Sequence, residues 1–190
     1  MNFTEISAEV LAIVKRPDKI NDIRREINAS VNFCCNDTEC ARDLAEGSFS
    51  LDGSLYTQSL PLSGFARFRK FSYLKPPAVR WYLSPTTPVK VFDNCKEACN
   101  SYYVAGADVV IKTSALHSSL LVGWYAFPPV LTDLAPTFWL LDASPYMIID
   151  RAAAKVFANI GDDASASKHM AAFNTAWLSA RADLASGTMP

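Results

Sequence analysis

The side chains best suited to metal binding or nucleophilic catalysis in this 190-residue chain are five cysteines and two histidines. Cys34, Cys35, Cys40, Cys95 and Cys99 could supply four thiolates. Structural zinc sites, however, pair their ligands at the close spacings of a knuckle. Here an adjacent pair is followed by a gap of four residues to Cys40, with a gap of three between Cys95 and Cys99, and no CxxC occurs. Cys34 also completes an apolar helical stripe, where an inert buried cysteine belongs. His117 lies in TSALHSS between two expected strands, and His169 stands beside Lys168 on a helix surface. Neither belongs to a G-x-S-x-G elbow or an H-E-x-x-H pair. Gly47, Gly53 and Gly64 are too scattered for a phosphate loop, and Asp162-Asp163 is explained by the dipole of the helix it opens. No metal, no other cofactor and no enzymatic activity are expected. The competing reading, a small cytosolic enzyme or ligand-binding module, requires a concave pocket near His117 and the cysteines, lined by convergent polar groups.

One stretch stands out in charge. Arg67, Arg69, Lys70, Lys75, Arg80 and Lys90 fall between Asp52 and Asp93 with no acidic residue among them. They alternate with Phe65, Phe68, Phe71, Tyr73, Trp81 and Tyr82, a texture that suits base stacking along a phosphate backbone. It equally suits a strand edge that resists aggregation. Eighteen basic residues against nineteen acidic ones leave a net charge of -1 and no global field, which favours the second reading. Any DNA contact is expected to be weak, non-specific and salt-sensitive.

The elements that must position these residues change in texture along the chain. Half the residues are hydrophobic and 19% are charged, as in a chain that buries one core, so a single domain is expected. No basic start leads into an apolar stretch and no long apolar window occurs, so synthesis and retention in the cytosol, reduced thiols and no membrane association are expected. The sequons at Asn28 and Asn36 are then chance matches. Nine of the 11 prolines lie between Pro61 and Pro145. Residues 1–47 read as helical: Ile6, Val10, Ile13 and Val14 behind Thr4 as N-cap, a stop at Pro17, then Ile20, Ile23, Ile27, Val31 and Cys34. Residues 48–136 read as a β-rich insertion forming a small, mostly antiparallel sheet. Its expected strands include Leu55 to Leu60, Arg69 to Leu74, Val79 to Leu83, Val89 to Phe92 and LLVGWYAFPP. The hairpin Tyr102 to Val104 and Asp108 to Lys112 turns at Ala105-Gly106-Ala107. Residues 137–184 return to helix, with Thr137 capping FWLLDA, Ser144-Pro145 opening the next helix and Gly161 closing it, while Met170, Phe173, Trp177 and Leu184 stripe the last. Residues 185–190 form a C-terminal tail after a helix ended by Gly187. The whole is α+β, a helical bundle of N- and C-terminal helices around a central antiparallel β-rich insertion.

Taken in order, the opening helix pair, the segment SYYVAGADVVIKTSALHSSLLVGWYAFPPVL and the segment from TFWLLDASPY to WLSARADL resemble bacteriophage head-to-tail adaptors, the connector or tail tubular proteins of short-tailed phages. The resemblance implies a virion structural protein at the head-tail junction, assembled in the host cytoplasm and involved in DNA ejection. It implies a ring of twelve copies on the portal, joined to the tail nozzle or another tail protein. Carried onto this chain, the portal contact falls on Leu184, Ala185, Ser186, Gly187, Thr188, Met189 and Pro190, expected as an extended segment. Arg67, Arg69, Lys70, Lys75 and Arg80 would face the tail partner or the DNA channel. The cysteines have no role in that resemblance.

Overall fold

A computed structural model describes residues 1–77, 79–93 and 100–186 of the chain. The architecture is mixed α+β, as expected, with two sheets of three and four strands among the described residues. Contacts divide it into two compact units.

The helical unit comprises Met1–Asp43 and the chain from Phe127 onward. Helix α1 (Phe3–Val14) begins two residues earlier than Thr4 as a cap would allow. Asn2 is the N-cap, its side chain accepting from the Glu5 N–H while the Glu5 carboxylate accepts from the Asn2 N–H. This reciprocal box satisfies two otherwise orphaned donors, and Phe3 then becomes a buried position of the first turn. Lys15 takes a left-handed conformation at φ 55°, and a short 3-10 turn at Pro17–Lys19 leads into α2 (Ile20–Asp37). The expected stripe of α2 faces inward: Ile23, Ile27, Val31 and Cys34 are buried, while Ile20 is half-buried. Helix α4 (Trp139–Ala143) is preceded by Phe138 and not by Thr137, and its cap position makes no side-chain hydrogen bond. Helix α5 (Pro145–Asn159) opens at Ser144-Pro145 and closes at Gly161, whose φ of 80° is open to glycine without strain. Helix α6 (Asp163–Ser186) follows. Helix α5 is the central member and packs against α1, α2, α4 and α6. Its Ala152, Ala153 and Ala154 are buried, and such small side chains let neighbouring backbones approach. Ile6, Ile23, Ile27, Leu140, Leu141 and Ile148 are fully buried in this core, each contributing roughly 1.5–3 kcal/mol relative to an exposed side chain.

The β unit spans Leu44–Ala126. Two sheets replace the expected single one. Strands β1 (Leu44–Ser50), β3 (Phe68–Lys75) and β7 (Ser119–Ala126) form the first, in the order β1-β7-β3, all antiparallel. Strands β2 (Thr57–Pro61), β4 (Ser84–Pro85), β5 (Ser101–Ala105) and β6 (Asp108–Lys112) form the second, in the order β2-β6-β5-β4. The hairpin β5–β6 turns at Gly106, with φ 60°, as its sequence indicates. Three expectations fail here. Leu44 to Gly47 is strand and not helix, because β7 offers all seven residues of β1 a continuous ladder. Val89 to Phe92 lies in a helix, α3 (Pro88–Asp93), opened by a proline whose missing N–H costs nothing at a first turn. Val79 to Leu83 forms no strand, and only Ser84–Pro85 pairs with β5, before the next proline, Pro88. The core combines Phe65, Leu74, Leu83, Val109, Ile111, Leu120, Val122 and Trp124.

Candidate functional site

The first sheet sorts the basic and aromatic residues by face. Along β7, Leu120, Val122, Trp124 and Ala126 are buried on one side, leaving Leu121, Gly123 and Tyr125 on the other. The register sets Phe68, Phe71 and Leu74 beside the buried set, and Lys70, Tyr73 and Lys75 beside Tyr125, Gly123 and Leu121. Register breaks between Phe68 and Lys70 and between Phe71 and Tyr73 accommodate Arg69 and Ser72 as extra residues. The phenylalanines are therefore core and not a stacking platform. Phe65 lies 4.5 Å from Phe49, 5.2 Å from Phe71 and 5.3 Å from Trp124 between ring centroids. The Trp124 indole N–H donates to the Ala66 carbonyl at 3.1 Å.

The opposite face combines cations with tyrosines. The Arg69 guanidinium and the Lys70 ammonium lie 5.4 and 5.6 Å from the centre of the Tyr125 ring, and the Lys75 ammonium lies 5.6 Å from that of Tyr82. Tyr73 meets Tyr82 edge-on at 5.8 Å. Its ring lies over Gly123, where any Cβ would collide with it, and its hydroxyl donates to the Glu46 carboxylate on β1. Burial, then the bond to Glu46, pushes the Tyr73 phenol up to about 12. Three of the five basic candidates, Arg69, Lys70 and Lys75, thus converge on one sheet. Arg67 sits just before it, exposed in a left-handed turn at φ 52°, and Arg80 is exposed in the connection to β4. An acidic residue, Glu46, shares this face, which the basic run alone did not indicate.

The C-terminal candidates differ from expectation. Helix α6 continues through Ser186, so Leu184, Ala185 and Ser186 are helical and not an extended tail. Leu and Ala are strong helix formers, and no glycine or proline intervenes before Gly187. Gly187, Thr188, Met189 and Pro190 lie outside the described residues, as does the expected stop at Gly187.

The thiols and imidazoles occupy packed settings. Cys34, Cys35 and Cys40 are buried in the helical unit and form no disulfide, while Cys95 and Cys99 lie outside the described residues. Burial pushes the Cys34 thiol up to about 12, far from the thiolate that a nucleophile or a metal ligand requires. The seam lined by Cys34, Cys35, Thr38, Trp139, Leu140 and Trp177 has no room for a water molecule. His169 Nδ1 meets Asp150 at 2.8 Å and its ring stacks on Phe157 at 5.6 Å, tying α6 to α5. His117 belongs to the β unit, edge-on to Trp81 at 6.1 Å. Its Nε2 is buried without a hydrogen-bond partner, beside an open depression of about 270 Å³ lined by Pro77, Leu116, Ser118 and Ser119. That is below the ~300–1,000 Å³ of ordinary small-molecule pockets. Among the described residues, no group of three His, Cys, Asp or Glu side chains could hold a metal ion.

The helical unit displays apolar side chains that the sequence reading missed. Leu134 is 98% exposed at the tip of a loop between Leu131 and Pro136. The Asn28 side chain donates to the Leu131 carbonyl and accepts from the Leu131 N–H. Asp133 is held by Arg24 and Thr4, while Thr132 and Ala135 bond across the turn. Val130, Tyr146 and Leu178 are also largely exposed. Only the prolines flanking this loop signal it in the sequence, because its fastening depends on Asn28, a hundred residues away. No protein-family model matches this chain. Nor does any curated protein match it.

Proposed function

We propose that this chain is a virion structural protein without enzymatic activity, a head-to-tail adaptor that forms a ring of twelve copies on a portal and connects it to the tail, lining the DNA channel. The observation that carries this reading is the surface of the helical unit. Val130, Leu134, Tyr146 and Leu178 remain 72%, 98%, 72% and 68% exposed although the core beneath them is closed. Single exposed apolar residues are ordinary. A loop fastened by Asn28, Arg24 and Thr4 to present a leucine to solvent is a different matter, and it supports burial against a neighbour. In a cyclic ring one face of each copy complements a different face of the next, which gives such side chains a partner. The helical frame contributed by both chain ends, with a β-rich unit between them, supports the same reading.

The portal contact is assigned to Leu184, Ala185, Ser186, Gly187, Thr188, Met189 and Pro190, now entered by a helix end. The face bearing Arg69, Lys70 and Lys75, with Arg67 and Arg80 nearby, is assigned to the tail nozzle or another tail protein. Glu46 on that face disfavours a phosphate backbone, leaving DNA contact non-specific at most. The site of action is the head-tail junction, after assembly in the host cytoplasm, with no membrane partner. Particles produced without this chain test the reading. DNA-filled heads lacking tails are expected, and normally tailed, infectious particles would overturn it.

A further inference from the structure

Four strands end the two sheets: β1 and β3 bound one, β2 and β4 the other. An open edge is a row of unpaired backbone donors and acceptors, which proteins ordinarily blunt with lysine, proline, bulges or brevity. Strand β3 carries Arg69, Lys70 and Lys75 and two register breaks. Strand β2 ends in Pro61, and β4 has only two residues, one of them Pro85. Strand β1 has none of these devices. It runs seven residues in unbroken register with β7, without lysine or proline.

The direction of its backbone groups follows from parity. The Leu51 N–H donates to the Ser118 carbonyl, in phase with the register that pairs Ser50 with Ser119. In an antiparallel ladder hydrogen-bonded pairs alternate, so Phe49, Gly47 and Ala45 exchange bonds with β7. The N–H and C=O groups of Leu44, Glu46, Ser48 and Ser50 therefore point away from it. Glu46, Ser48 and Ser50 are exposed, and no described strand pairs with this edge.

We propose that this edge docks β1 of a second copy, the two strands adding antiparallel about a twofold axis at Gly47. The two three-stranded sheets then become one sheet of six strands. In this register Leu44 faces Ser50, Ala45 faces Phe49, Glu46 faces Ser48, and Gly47 meets its own copy. The strand is self-complementary: a large ring lies opposite a methyl group, the lone carboxylate opposite a hydroxyl, and the smallest residue where like must meet like. Pairing with β3 of another copy is disfavoured by its bulges and its cations. A net charge of -1 adds little repulsion between copies. The contact is isologous and concerns the free chain, so it neither uses nor requires the ring on a portal.

Sedimentation of the full chain over a range of concentrations tests this, with Ser48→Lys and Ser48→Glu beside the unmodified protein. Position 48 is exposed, so neither change disturbs the core. The lysine ammonium meets Glu46 of the second copy twice per dimer and is expected to tighten association roughly tenfold, while glutamate loosens it by a similar factor. Ser48→Pro removes an outward N–H without removing a bond to β7 and is expected to leave a monomer. If that variant fails to fold, the two charge variants still decide. A monomer at every concentration of the unmodified protein, or equal association of the lysine and glutamate variants, overturns the proposal.

Discussion

Tyr73 shows how one residue fixes a whole face. Its ring fits only because Gly123 has no Cβ, and its hydroxyl reaches across β7 to Glu46 on β1. Gly123→Ala is expected to force the ring out and cost about 1–3 kcal/mol, read as a lower denaturant midpoint. The burial of Cys34 makes a second prediction. Its thiol titrates near 12 in the fold against an ordinary 9.0, and Tyr73 near 12 against 10.0. Both groups are held neutral by folding, so their contribution is complete below the ordinary value and is lost as pH rises through the folded one. Stability should therefore fall between pH 9.0 and about 12, less steeply in Cys34→Ala. In the native protein near neutral pH, peptide mapping after thiol labelling should find Cys34 unmodified, and fast labelling there would contradict its burial.

At the scale of elements, what was legible in the sequence was what is local. The stripe of α2, the Ser144-Pro145 opening and Gly161 closure of α5, and the Gly106 hairpin each depend on residues within a few positions of one another, and all are present. Strand β1 was not legible, because Ala45 and Gly47 give it no apolar alternation and its identity comes from β7, over seventy residues away. Helix α3 departs from its sequence pattern because Val89 and Val91 suggest a strand while Pro88 sets a first helical turn. The basic stretch was visible as composition, but its division into a phenylalanine core and a tyrosine-cation face required the two bulges of β3. The cap of α1 belongs to this scale as well. Asn2→Ala should lose about 0.5–2 kcal/mol by removing the reciprocal box, whereas Thr4→Val leaves that box intact, gives up only an exposed hydrogen bond to Asp133, and should lose less.

For the whole molecule, the contacts draw a boundary that the prolines cross: Leu44–Ala126 forms a unit with its own core between two stretches of helix, while Pro128, Pro129, Pro136 and Pro145 belong to the helical unit. Replacing Arg67, Arg69 and Lys70 together with serine should impair tail attachment while leaving the helical unit folded; unchanged tail attachment and DNA retention would return that stretch to a solubilising edge. Deleting Gly187–Pro190 should weaken portal joining, and equal joining would remove the C-terminal assignment. The most direct test of the adaptor reading is the mass of the complex formed when the purified chain is mixed with isolated phage portal rings. A saturable gain of twelve copies per portal ring is expected, and a portal whose mass is unchanged by excess chain would overturn the adaptor role.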